Sequence, residues 1–184
     1  MAYDIIIKSG MVFDGAGQEP ASAADVGVRG DEIAFIGDLN GVDAPTVINA
    51  YGKYVAPGFI DTHVHIYGGI GLTDPDTVGV HQGVTAICDL GGAGTATFPD
   101  FKELVLPRVK TTVYSVVNVT AGGVGAYGFG VSDLLPTGRP DLRRFFETVD
   151  ENRDVIKGVK SAVSVVLGEH FLLMAKSLAA SAGL

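Results

Sequence analysis

The sequence is poor in cysteine and tryptophan and has no long apolar run. It holds one cysteine and no tryptophan in 184 residues. The single cysteine, Cys88, excludes an intrachain disulfide, and its apolar surroundings, VTAICDL, favour a small buried side chain. No stretch approaches the roughly 18 apolar residues that a membrane span needs. The start, MAYDIIIKSG, lacks the basic and apolar segments of a signal peptide. We therefore expect a soluble cytoplasmic protein.

Basic residues are also scarce. Lysine and arginine number 13 against 21 aspartates and glutamates, which gives a net charge of −8. Nucleic acids and anionic membranes select basic surfaces, so we expect neither as a partner. With 47% hydrophobic and 18% charged residues, the composition is that of a chain with a packed core. A small-molecule substrate is the expected partner.

The predicted pattern of secondary structure changes near residue 57. Residues 1–56 consist of short apolar runs separated by turn residues, which predicts a small β layer. From residue 57 onward, strands at 58–66, 84–91, 111–119 and 154–164 alternate with helices at 74–83, 97–110, 140–153 and 168–183. Four such βα units predict an α/β fold with a parallel sheet and crossover helices. Because a closed (β/α)8 barrel needs eight units and typically about 250 residues, the units form either an open sheet or half of a barrel.

The first of these strands, GFIDTHVHI, ends in two histidines. Strand alternation predicts Asp61, His63 and His65 on one face and Val64 on the other. Active sites of parallel α/β folds lie at the carboxyl ends of the strands, and two neighbouring imidazoles suit a divalent metal. Asp61 would orient one of the rings by a hydrogen bond. The alternative is two surface histidines at a strand end.

The fourth strand carries a lysine at its carboxyl end. Alternation predicts Ile156, Gly158 and Lys160 on one face. A lysine in such a position is costly unless its charge is removed or paired. A lysine carbamate would be an anionic oxygen ligand able to bridge two metals, and the alternative is a lysine paired with a nearby acid.

These stretches together resemble a known family. VAPGFIDTHVHIYGG after a small β layer, then DPDTVGVHQGVTAICDLGGAGTATFPDF and VIKGVKSAVS, are similar to the amidohydrolase superfamily. The likeness is to its dihydroorotase-like branch, the amidohydrolase/deacetylase family of metallohydrolases. That resemblance implies a (β/α)8 TIM barrel and a small β-sandwich built from both chain ends. Residues 1–56 would be the N-terminal part of the sandwich, and residues 57–184 the first half of the barrel.

The resemblance also implies a reaction and a metal centre. His63 and His65 match the first-strand ligands of a binuclear centre, usually two zinc ions, and Lys160 matches the carboxylated lysine that bridges them. A hydroxide held by the metals attacks the substrate carbonyl. The implied activity is hydrolysis of amide or ester bonds, such as N-acyl, O-acyl or cyclic amide compounds.

One departure from the family bears on activity. The family's two further histidine ligands and its general-base aspartate lie on later strands, outside these 184 residues. His81 and His170 are expected to be exposed and not to replace them. We therefore expect the missing C-terminal half, or self-association, to complete the site. Two alternatives stay open, a half-barrel that is inactive alone and a non-catalytic α/β binding module.

Two other features lie at strand ends. Asp89 ends the second strand, as a turn cap or a substrate contact. The glycines at 123, 125 and 128 fit G-x-G-x-x-G, but no helix follows them as a dinucleotide site requires. We interpret that segment as a βα loop at the active-site end.

Overall fold

The chain divides into two units, Met1–Pro57 and Gly58–Leu184. A computed structural model describes residues 3–17, 20–67, 74–124, 141–161 and 168–184. Among the helices of these ranges, none has the length and apolar character of a membrane span.

The first unit is a five-stranded sheet, as the β layer was expected to be. Its strands are Ile5–Val12 (β1), Ser22–Arg29 (β2), Glu32–Gly37 (β3), Thr46–Asn49 (β4) and Tyr54–Val55 (β5). The order is β3-β2-β1-β4, with β2 antiparallel to both neighbours. Strands β4 and β5 both pair with β1, in parallel. The continuous strand β1 has a register irregularity between Ile7 and Gly10.

A buried aspartate holds that irregularity in place. Ser9 has a left-handed backbone, with φ of 62°, and the β1–β2 register slips between Ile7 and Gly10. The Ser9 N–H donates to Asp25 Oδ1 at 2.8 Å, and the Leu39 N–H donates to Asp25 Oδ2 at 3.0 Å. The Ser9 hydrogen bond is the largest cause that lowers the pKa of Asp25, and burial opposes it. Asp25 therefore supports the first unit as a carboxylate.

Replacing Asp25 with asparagine is expected to lower the free energy of unfolding by about 1 to 3 kcal/mol at pH 7, because one charge-assisted acceptor is lost. A carboxyl with a depressed folded pKa contributes stability above its unfolded pKa and loses it as pH falls through the folded value. The stability difference between the two proteins in urea unfolding should therefore begin to shrink below about pH 4 and close as pH falls through the lowered pKa of Asp25. Asp14→Asn is the control, because the Ala16 N–H needs one acceptor oxygen there, which asparagine keeps. Equal stability of Asp25→Asn and the parent at pH 7 would contradict the prediction.

In the described part of the second unit there are four parallel strands, each followed by a helix, as the sequence predicted. The strands are Phe59–Val64 (β6), Val84–Gly94 (β7), Thr112–Asn118 (β8) and Ile156–Lys160 (β9), in the order β6-β7-β8-β9. The helices are Pro75–Val78 (α1), Phe98–Leu104 (α2), Leu142–Glu151 (α3) and Gly168–Ala182 (α4). Short 3-10 turns at Val80–Gln82 and Leu106–Arg108 follow α1 and α2.

The core of this unit lies between the sheet and its helices. Buried sheet residues pack against buried helix residues, among them Ile87, Val117, Ile156, Phe98, Phe101, Phe145 and Val149. The placement of Ile156 corrects the prediction that it shares a face with Lys160. The register between β8 and β9 slips after the Ser115–Ile156 pair, so that Gly158 pairs with Val116. This slip separates Ile156, which is fully buried, from the half-buried Lys160.

Candidate metal centre

The two histidines lie side by side at the carboxyl end of β6. Their ring centroids are 5.4 Å apart, with an angle of 76° between the planes. His63 is exposed and lies in the strand, whereas His65 is half-buried and lies just beyond it. Val64 packs against the core and Ile66 is buried in it. The alternation expected of residues 63–66 is therefore present.

Asp61 has a different partner from the one predicted. Its Oδ1 accepts a hydrogen bond from the backbone N–H of His63 at 3.0 Å, whereas an imidazole ring was the expected partner. The β6–β7 register slips between Asp61 and Val64, and a short carboxylate is well suited to pairing with a backbone N–H two residues on. Asp61 thus shapes the backbone under His63.

Lys160 reaches from β9 toward the histidine strand. It is the last residue of β9 and pairs with Asn118 of β8. Its stem contacts Gly91 of β7, where an ideal Cβ would lie 2.6 Å from Lys160 Cγ and 2.8 Å from Lys160 Cβ. Gly91 also has a φ of +79°, which favours glycine. The lysine stem therefore crosses the end of β8 and lies over β7, the neighbour of β6.

Asn118 joins the strand ends on which that stem lies. Its side chain is fully buried. Its Oδ1 accepts hydrogen bonds from the N–H and the hydroxyl of Thr120, both at 3.0 Å, and its Nδ2 donates to Gly91 O at 3.3 Å. An asparagine at a strand end carries no sequence signal that distinguishes this role from a turn residue.

The electrostatic environment keeps His65 neutral. Burial is the largest cause that lowers the pKa of His65; the Asp89 carboxylate raises it, and the charges of His63 and Lys160 lower it further. The neutral imidazole is the form that binds metals. The His65 Nδ1 is buried and has no hydrogen-bond partner among the described residues. Two adjacent imidazoles, one of them with an unpaired ring nitrogen, suit a divalent metal.

Asp89 lies behind this pair of histidines. Its side chain has 0% exposure. Its Oδ2 accepts from the Ile66 N–H at 2.9 Å and its Oδ1 from the Gly92 N–H at 2.6 Å. Burial raises the pKa of Asp89, and these two N–H donors and His65 lower it. Of the two sequence interpretations, the turn cap describes the Gly92 contact, but the bond to Ile66 could not be read from the sequence.

The remaining sequence candidates lie elsewhere. His81 and His170 are exposed, as expected, and the His170 ring lies 4.8 Å from that of Phe171. Cys88 is half-buried, and burial raises the pKa of its thiol. Within the described ranges, no three histidine, cysteine or acidic residues form a group that could hold a metal. Of the glycine pattern, Gly123 is described and positions 125 and 128 lie outside the described residues.

Comparison with curated proteins finds relatives that are deacetylases. A deacetylase of Enterococcus faecalis is 28% identical over 174 residues, which cover 92% of this chain and 44% of the relative. A deacetylase of Agrobacterium fabrum is 34% identical over 150 residues, which cover 79% of this chain and 37% of the relative. The chain thus spans less than half the length of these relatives. No protein-family model matches it.

Solved structures with a similar fold include a dihydroorotase, a D-aminoacylase and an N-acyl-D-glutamate deacylase. A dihydroorotase matches with a TM-score of 0.84 and 26% identity, over 98% of this chain and 49% of that one. A D-aminoacylase, described as defining a subset of amidohydrolases, matches with a TM-score of 0.68 and 23% identity over 98% and 44%. An N-acyl-D-glutamate deacylase from Bordetella bronchiseptica, complexed with zinc and a phosphonate inhibitor, matches with a TM-score of 0.62 and 22% identity over 98% and 44%.

Proposed function

Because this chain belongs to the amidohydrolase superfamily, we propose that it carries the first part of a metal-dependent active site that hydrolyses amide bonds. His63 and His65 are the proposed imidazole ligands, and Lys160, as its carbamate, the proposed bridge between two zinc ions. In this proposal Gly58–Leu184 is the first half of a (β/α)8 barrel, and Met1–Pro57 belongs to a β-sandwich.

One observation carries the proposal. The stem of Lys160 crosses the end of β8 and contacts Gly91 of β7, and the charge of Lys160 acts on His65. A lysine on one outer strand and two histidines on the other thereby approach one region at the carboxyl ends of the strands. In parallel α/β folds that end of the sheet carries the chemistry. A surface histidine pair would not account for the direction of the lysine.

The residues of the chain would prepare the site for the reaction. A bound divalent metal supplies activation of water and polarisation of the scissile carbonyl. His65 would enter the centre neutral, since burial already lowers its pKa. The Lys160 ammonium would first release one proton, and the neutral amine would then add CO₂ and release a second proton, which converts a cation into an anionic oxygen ligand.

The proposed substrates are small N-acyl compounds, with O-acyl esters and cyclic amides as the related classes. The relatives named deacetylase favour the N-acyl class. The general base and the remaining ligands are proposed to come from polypeptide outside these 184 residues, either a further segment or a second copy. Since the chain covers less than half of its relatives, metal binding is the first quantity to measure and hydrolysis of substrate the second.

Zinc binding tests the proposal directly. We expect zinc to remain on the parent chain after dialysis and to be lost from His63→Ala, because an imidazole ligand is removed. His81→Ala is the matched control, since His81 is an exposed histidine in the same unit and should leave the zinc content unchanged. Elemental analysis of the three purified proteins measures the result.

The outcomes separate the hypotheses. Zinc held by the parent and by His81→Ala, together with zinc-dependent hydrolysis of N-acetyl amino acids, would support the enzyme. Zinc without hydrolysis would support a half-built site that needs its remaining ligands. A parent chain without zinc, or equal zinc in all three proteins, would contradict the metal centre and favour a binding module.

A further inference from the structure

We propose that Asp89 is a positioning residue that fixes His65 for the metal, an inference that rests on the proposed metal centre. The pairing of β6 with β7 ends at Val64, opposite Asp89. His65 therefore lies one residue beyond the last paired position of its strand. The next N–H, that of Ile66, donates to Asp89 Oδ2 at 2.9 Å. The Asp89 carboxylate thus accepts the first backbone N–H after His65, where the backbone pairing of β6 with β7 has ended.

The surrounding backbone is built around this carboxylate. Its second oxygen accepts the Gly92 N–H at 2.6 Å. A Cβ at Gly92 would lie 2.6 Å from Asp89 Oδ1, 2.7 Å from Asp89 Oδ2 and 2.7 Å from Tyr67 O. The carboxylate therefore occupies the space that a side chain at position 92 would need. It ties the backbone after His65 to the end of β7, so that neither can move independently.

Besides connecting the backbone at Ile66 to that at Gly92, Asp89 carries a charge that would act on a bound metal. A fully buried carboxylate is costly unless hydrogen bonds or nearby charges compensate it, and Asp89 lies within electrostatic reach of His65. A cation bound at His65 would lie close to this negative charge. A carboxylate that accepts from the ring of a ligating histidine typically contributes about 10- to 100-fold to metal affinity. Asp89 bonds the backbone N–H beside His65 instead, so we expect the lower end of that range. Asp89 is therefore expected to affect the metal as well as the fold.

Asp89→Asn tests the inference, because it keeps the size but removes the charge and one acceptor. We expect zinc affinity, measured by calorimetric titration of the folded protein, to fall by about 10-fold. The NMR signal of the His65 ring, assigned with His65→Gln, should also shift in the metal-free protein. A role in stability alone would change the unfolding midpoint without moving the zinc affinity.

Asp76→Asn is the matched control. Asp76 also accepts distant N–H bonds, from Lys110 and Thr111, but these lie at the amino end of β8. This variant should lose stability and keep the zinc affinity of the parent. If Asp89→Asn does not fold, Asp89→Ser, which is smaller and uncharged, replaces it.

Each result decides between the possibilities. Zinc binding by the parent with equal affinity in the folded Asp89 variant would overturn the inference and leave the proposed centre intact. A parent without zinc would overturn the centre and this inference with it. Failure of both Asp89 variants to fold would assign Asp89 a structural role instead.

Discussion

Lys160→Met is expected to bind zinc at least about 100-fold more weakly than the parent chain. Partners behind a ligand contribute up to about 100-fold, and a direct bridging ligand contributes more. Methionine keeps an unbranched apolar stem, so the contact with Gly91 is preserved. The variant therefore separates the amine from the packing. Calorimetric zinc titration measures the loss, and added bicarbonate should strengthen zinc binding in the parent only, because only the parent can form the carbamate.

A second lysine on the same strand provides the control. Lys157 is exposed; its Nζ donates to Arg153 O at 3.0 Å and lies 5.3 Å from the Tyr114 ring centroid. Lys157→Met should bind zinc as the parent does. A Lys160→Met protein with the zinc affinity and bicarbonate response of the parent would exclude Lys160 from the centre.

Gly94→Ala is expected to destabilise the second unit by about 3 kcal/mol or more, a size that marks severe overpacking. An added Cβ would lie 2.0 Å from Thr120 O, 2.5 Å from Ala121 O and 2.6 Å from Gly123 N. All three are backbone atoms, which cannot turn aside as a side chain can. The end of β7 at Gly94 and the segment 120–123 after β8 are therefore in direct backbone contact. Beside this contact, Thr97 Oγ1 accepts a hydrogen bond from the Gly94 N–H at 3.0 Å.

The matched control, Gly158→Ala, is expected to change the free energy of unfolding in the opposite direction. A Cβ at Gly158 would lie 3.5 Å from the nearest Val116 carbon, an ordinary contact. Gly158→Ala should raise the free energy of unfolding by about 0.5 to 1 kcal/mol, because alanine restricts the unfolded chain. Urea unfolding followed by circular dichroism measures both variants. A Gly94→Ala protein as stable as the parent would show that the backbones at Gly94 and at 120–123 can move apart without loss of unfolding free energy.

Local patterns in the sequence predicted most of the second unit. Its strands and helices alternate in the expected order, because apolar runs and turn residues determine each element within a short window. Pairing between distant strands is different. That β4 and β5 both pair with β1 depends on contacts across some 40 residues, and nothing in the runs themselves specifies the partner.

Strict alternation failed where the register slips. The slips after Asp61 and after Ser115 each change which side chains share a face. The prediction for Ile156 was wrong for that reason, whereas the prediction for residues 63–66, beyond the slip, agrees with the structure. A one-residue irregularity leaves no mark in an apolar run.

The candidate site was predicted as far as its chemistry is visible in residue type. Two histidines and a strand-end lysine stand out in a sequence because few residues can bind metals. Asp89 was noted as a strand-end residue, but its bond to Ile66 and the bonds of Asn118 could not be predicted, since they involve backbone groups that approach only in the fold. The glycines beside them, Gly91 and Gly92, were the available signal, because each leaves space that a neighbouring side chain fills.

The proposed ligands lie on β6 and β9, the outermost strands of the second sheet as described. Outer strands pair on one side only and open more readily than inner ones. A zinc ion bound by ligands from both strands would oppose the opening of each, since opening either strand would release the ion. At 100 times its dissociation constant the ion would oppose such opening by about 2.7 kcal/mol. Opening of either outer strand would then be coupled to release of the ion, and loss of zinc would begin at the same places as unfolding.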